Sequence, residues 1–147
     1  MYTVSNYLLL IHLVGIALAV GAATVKLNLV MKANSNSELF SSYFQLVKPI
    51  TKLLILGMIL LTLSGIGFII IGTSLSTLLI IKMILVLFMW ILGPVIDNVF
   101  EPKLQKLVVA HDSTLSASFV QAQKQYLLVE VLATSVMYVI TIMGVML

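Results

Sequence analysis

The sequence predicts an all-α, polytopic membrane protein, a single domain built as an antiparallel four-transmembrane-helix bundle. Three observations predict it. The chain is 61% hydrophobic and only 9% charged over 147 residues, with a mean hydropathy of +1.20, well outside the range of soluble domains. Four apolar stretches, at 6–30, 52–71, 76–96 and 126–146, approach or exceed the length needed to cross the hydrocarbon core of a bilayer, about 20 residues. The intervening segments, 32–51 and 97–125, are polar or amphipathic. With no cysteine, disulfides, thiolate ligands and thiol chemistry are excluded. The net charge of +3 includes no basic cluster interleaved with aromatics, so the expected surroundings are membrane lipid and not nucleic acid.

The first span, Asn6 to Val30, has no basic region before its apolar core, and Lys26 stands where a signal peptide would be cleaved, so it reads as a true span. Asn34, Ser35, Asn36 and Ser37 then predict a turn and an N-cap for a short helix through Phe40 and Phe44. The second and third spans are joined only by Gly72, Thr73, Ser74 and Leu75, which predicts an antiparallel hairpin. After Pro94, the helical spacing of Leu104, Leu107, Val108, Leu115 and Phe119 predicts one of two things. Either the third and fourth helices extend beyond the membrane, or an amphipathic helix lies on its surface.

Lysine placement sets the expected orientation. Lys26, Lys32, Lys48, Lys52, Lys103, Lys106 and Lys124 fall at or between the ends belonging to the first and third loops. The positive-inside rule then puts those loops in the cytoplasm and both termini outside; the expected location is the cell membrane of a prokaryote. On that topology His12 and Lys82 each lie about six residues into a helix that starts outside, roughly 9 Å deep.

Those two residues are the first candidates for chemistry. Nothing ionisable occurs from Leu53 to Ile81 or from Met83 to Ile96, so Lys82 stands alone in an apolar run. An intramembrane lysine costs about 3 kcal/mol and marks a functional site unless a structural partner explains it. The alternative is snorkelling, in which the long stem carries the ammonium to the outer headgroups. Lys82 shares a helical face with Val86, Met89 and Gly93, with Trp90 at the flank. On the first helix His12, Gly15, Ala19, Ala23 and Lys26 form one stripe, a small-residue groove that admits a flat ligand or a neighbouring helix. Neutral imidazole is a common donor to a metal or haem iron, which makes His12 the candidate ligand. The alternative is a histidine hydrogen-bonded to a nearby Ser or Thr. In the last span Glu130, Thr134, Met137, Thr141 and Gly144 share a stripe, and Glu130 is a candidate for proton transfer or an electrostatic cap near Lys124 or Lys52. Gly57, Gly65, Gly67 and Gly72 read as close-packing positions, and His111 as a solvated loop residue on the side opposite His12. Side chains alone do not close a metal coordination sphere, so a prosthetic group that supplies most of its own ligands fits better.

These residues resemble a known family. IHLVGIALAVGAATVKLNLV is similar to the first helix of the HemJ-type protoporphyrinogen oxidases and the related CopD-like membrane proteins, with His12 and Gly21 at the family's histidine and glycine. TLSGIGFII resembles the end of the family's second helix, LLIIKMILVLF its third with the lysine at Lys82, and YLLVEVLATSVMYVI its last with the glutamate at Glu130. The family's Leu-Pro-Arg run has no counterpart, and Lys26 stands near its arginine. The resemblance implies haem b bound through His12, with Lys82 important for activity. It suggests a membrane redox protein of the protoporphyrinogen oxidase kind, whose partner is a porphyrin or haem, acting alone, as a homo-oligomer or in a larger complex. Lys82 and Glu130 are then the catalytic candidates, His12, Lys82 and Met89 the cofactor-binding ones, and His12 the metal ligand. The competing expectation is a non-enzymatic CopD-like transporter, metal-handling module or assembly subunit.

The orientation is open to direct test. A Ser37→Cys variant in intact cells should react with a membrane-impermeant thiol reagent only after the cytoplasmic face is opened; labelling from outside alone overturns the topology.

Overall fold

A computed structural model describes residues 2–35, 39–72, 76–110 and 117–145. Among these the chain is helical throughout, with no strand. Helix α1 is Tyr2–Ser35, α2 Leu39–Ile70 and α3 Thr77–Val95; a π-helical turn, Ile96–Phe100, leads directly into α4, Glu101–Ala110, and α5 is Ala117–Val145. Four segments are long and apolar enough to cross a membrane: Thr3–Asn34, Ser42–Ile70, Thr77–Val108 and Ala117–Gly144. Their outward faces carry large exposed apolar side chains such as Leu10, Leu63, Ile91 and Leu128. Water would not tolerate so much contiguous apolar surface, whereas lipid does.

Small residues decide which helices touch most closely. Gly57 of α2 lies so near α1 that a Cβ built on it would fall 2.5 Å from the Ala19 backbone nitrogen. A Cβ on Gly15 would meet the Leu61 backbone nitrogen at 3.0 Å and the Gly57 carbonyl at 3.1 Å. The groove of small residues on α1 is therefore filled by α2, in the antiparallel sense, since Leu8 meets Gly67 while Ala19 meets Gly57. Lipid gives helices no hydrophobic reason to associate, so such backbone approach and the dispersion contacts it permits supply much of the attraction. Not every glycine serves this end: a Cβ on Gly65 would meet nothing within 4 Å. Gly72, at φ +103°, ends α2 in the left-handed conformation that glycine adopts without strain. Ser76 caps α3 by accepting a 3.2 Å hydrogen bond from the Leu79 amide.

The short connection does not make α2 and α3 the closest pair. They are joined by a 3.0 Å hydrogen bond from Trp90 Nε1 to Thr62 Oγ1. Helix α5 packs on both α1 and α3.

One expectation about the polar segments changes, and another, open between two readings, is decided. The short helix through Phe40 and Phe44 is not separate from the second span: α2 runs unbroken through Pro49, although proline removes an amide donor. Tertiary packing explains this. Phe40 meets Phe119 of α5 at 5.9 Å between ring centroids, and the hydroxyls of Tyr43 and Tyr126 lie 2.6 Å apart. Phe40, Tyr43, Phe44 and Val47 are all buried. Of the two readings for 97–125, extension of the third and fourth helices is the one observed, with α5 starting at Ala117.

The α1–α2 contact yields a graded prediction. Gly57→Ala should destabilise the solubilised protein by about 1–3 kcal/mol, because its Cβ has nowhere to go. Gly65→Ala should be neutral or stabilising by up to about 1 kcal/mol, from helix propensity. Thermal unfolding in detergent distinguishes them, and equal melting temperatures would refute the close approach.

Candidate functional site

Two polar centres lie inside the bundle, at different levels along α1. The first contains His12 and Lys82 and sits toward the end bearing the termini. The second contains Lys26 and lies farther along the helix.

At the first centre, His12 Nδ1 is 2.8 Å from Ser64 Oγ. Ser64 is buried, and its hydroxyl donates to the Leu60 carbonyl at 2.6 Å, with Leu61 O a second acceptor at 3.1 Å. A hydroxyl has one proton. With that proton committed to the backbone, Ser64 Oγ can only accept from His12, so the imidazole carries its hydrogen on Nδ1 and its lone pair on Nε2. Phe68 meets the ring edge-on at a centroid distance of 5.9 Å. The bond to a serine is what membrane packing alone would produce; it also holds the ring in the tautomer a ligand needs.

Lys82 is half-buried on α3. Its Nζ lies only 2.9 Å from where a Cβ on Gly144 would stand, so the missing side chain on α5 makes room for the ammonium. Lys82 is within electrostatic range of His12, and no ion pair engages it among the described residues. The structure thus brings these two predicted residues toward one region. Met89 is elsewhere: it is buried at the second centre, beside Lys26 and Glu130.

The second centre was not expected in this form. Lys26 Nζ donates to Asp97 Oδ1 at 2.9 Å and stands 2.9 Å from Glu130 Oε1, the latter an ion pair outside hydrogen-bonding alignment. Side-chain exposure is 4% for Lys26, 5% for Glu130 and 27% for Asp97, so the cluster is closed on α5 and opens at the π turn. Glu130 is therefore not a cap at a helix start, and its partner is neither Lys124 nor Lys52. Because α5 begins at Ala117, Glu130 falls well inside the helix and faces α1. Glu101 lies within electrostatic range of Lys26, Asp97 and Glu130.

The π turn helps place Asp97. Pro94 precedes it, the Asn98 side chain donates to the Pro94 carbonyl at 2.8 Å, and the Glu101 amide reaches back to Ile96 O in the wide π pattern. Inserting one extra residue in a turn re-phases the helix, and such bulges concentrate at functional positions. Ile96 at the start of the bulge and Leu104 after it are both buried.

Lys26 and Asp97 were missed because each sits at the edge of an apolar run, where a charge is ordinarily solvated. The available signal was the stripe itself, since Lys26 continues the face of Gly15, Ala19 and Ala23. His111 lies outside the described residues, and among those described no group of three or more His, Cys, Asp or Glu could hold a metal ion. Compared with protein-family models, curated proteins and solved structures, the chain has no match.

The cluster should dominate stability. Lys26→Met strands two carboxylates in an apolar interior and should cost about 3–5 kcal/mol. Combining it with Asp97→Asn and Glu130→Gln should recover most of that loss. Denaturant or thermal unfolding of the variants in one detergent measures both, and a neutral Lys26→Met would refute the buried pairing.

Proposed function

We propose that the protein is a haem-b-binding integral membrane redox protein, in which His12 Nε2 would hold the haem iron. The observation that carries this reading is the Leu60 O, Ser64 Oγ, His12 Nδ1 chain. Haem-ligating imidazoles coordinate through one nitrogen while the other donates to a fixed acceptor, which sets the tautomer and ring orientation. Ser64 provides that acceptor, so the donor chemistry of His12 fits the group. Lys82, an ammonium near His12 with no ion-pair partner among the described residues, suits a propionate carboxylate. Haem would supply one-electron exchange; His12 would hold it, Ser64 orients His12, and Lys82 would neutralise an acidic periphery. The reading extends to a HemJ-like oxidation of protoporphyrinogen in a prokaryotic cell membrane, with both termini outside and a second copy or larger complex as partner.

A non-enzymatic reading, a small CopD-like transporter, draws on the charged cluster around Lys26, because ionisable groups inside a bundle also mark ion pathways. An absorption spectrum separates the two. After expression with added haem precursor, the purified protein should show a Soret band, and His12→Ala should abolish it. Ser64→Ala should weaken haem retention by about 10–100-fold, the usual effect of losing an outer-sphere partner. Lys82→Met should alter retention or spectrum while the bundle stays folded. No Soret band after haem supplementation, or wild-type haem content in both His12→Ala and Lys82→Met, overturns the haem reading.

A further inference from the structure

Beside the Lys26 cluster is a cavity of about 30 Å³, lined among others by Lys26, Thr51, Asp97, Glu130 and Thr134. That is enough for one water molecule or one small ion. Two buried hydroxyls there, Thr51 Oγ1 and Thr134 Oγ1, have no hydrogen-bond partner among the described residues, and Glu130 Oε1 has only its ion pair with Lys26. Thr134 is only 3% exposed, as is Glu130. Buried hydroxyls without partners are costly, and their convergence on one void calls for an occupant.

Charge identifies the class of occupant. Lys26 from α1, Asp97 from the π turn and Glu130 from α5 line the site, and Tyr43 and Lys48 from α2, Glu101 from α4 and Tyr126 from α5 lie within electrostatic range of it or of one another. The Tyr43 and Tyr126 hydroxyls engage each other, and Lys48 offsets Glu101. Counted formally, Lys26 balances one of its two carboxylates and leaves one unit of negative charge at the cluster. Water would satisfy the threonines but not that charge. A divalent ion would exceed it, and among the described residues no three His, Cys, Asp or Glu side chains converge closely enough to hold one.

We infer that this cavity, lined by Thr51, Thr134, Asp97 and Glu130 beside the Lys26 ammonium, binds one small monovalent cation, sodium or a hydrated proton. The site is independent of His12 and of haem. Hard cations prefer oxygen donors, and these four side chains supply oxygen from α2, the π turn and α5. Asp97, the most exposed member of the cluster, is the entry side. Occupancy would tie three elements together through one ion.

The test is thermal unfolding of the full chain in detergent. In one series sodium chloride replaces choline chloride at constant ionic strength and pH; in the other, sodium-free buffer spans a range of pH. A sodium site predicts a melting temperature that rises by about 4 °C per tenfold increase in sodium above its Kd. A hydrated proton predicts no sodium response and a rise as pH falls, larger in wild type than in the site variants. Thr134→Val removes one ligand oxygen at similar volume, and Glu130→Gln removes the unbalanced charge; both should lose the response. Ser135→Ala, whose exposed hydroxyl is committed to the Val131 carbonyl, should keep it. If Glu130→Gln fails to fold, Thr134→Val decides alone. Flat behaviour in both series, or an undiminished response in Thr134→Val, shows that the cavity holds water only and overturns the assignment.

Discussion

The ion cluster of Lys26, Asp97 and Glu130 constrains the rest of this bundle. Burying charge in an apolar interior is expensive unless partners stand within contact distance. Lys26 lies on α1, Glu130 on α5 and Asp97 on the continuation of α3, each carboxylate 2.9 Å from the ammonium. Helices with interchangeable apolar surfaces could rotate or slide past one another at little cost. The cluster removes that freedom, because any rotation that separates one carboxylate from Lys26 leaves an unpaired charge behind.

The remaining span, α2, is held by a different interaction. Helix α2 contributes no charge to the ion pairs, and its grip on α1 comes from Gly57 against Ala19 and Gly15 against Leu61. Polar ties then set its register: His12 to Ser64 near one end, and Trp90 of α3 to Thr62 along the other flank. The aromatic cluster of Phe40, Tyr43 and Phe119 extends the same packing past Pro49. A proline-bearing polar segment is thereby drawn into a continuous helix.

This division of labour separates two chemistries in one small bundle. Near the termini, an imidazole hydrogen-bonded to Ser64 and an ammonium packed against Gly144 are the groups on which the haem proposal rests. Farther along α1, an excess of carboxylate over ammonium beside a water-sized cavity suits a cation. Between the two centres the packed layer of Ala19, Gly57 and Met58 contains no ionisable group. The haem and cation proposals therefore address separate sites.

The sequence by itself determined the class, the number of spans and which faces turn inward. Those features follow from apolar run length and helical periodicity, which are local and survive any arrangement of neighbours. The stripe from His12 to Lys26, and that from Glu130 to Gly144, could be read as faces for this reason. Lys82 could be singled out because a charge within an apolar run is conspicuous wherever the run is placed. Only the tertiary structure decided what each charged residue meets. Lys26 looked like a cytoplasmic flank and Glu130 like a helix cap, because solvation is the default for a charge at the edge of a span. Their pairing depends on how far α5 extends, on the rotation of α1 and on the π turn after Pro94. The tautomer of His12 likewise depends on Ser64, 52 residues away along the chain. Run length and periodicity carry no information about such long-range partners, because the energy that selects them arises only when helices meet.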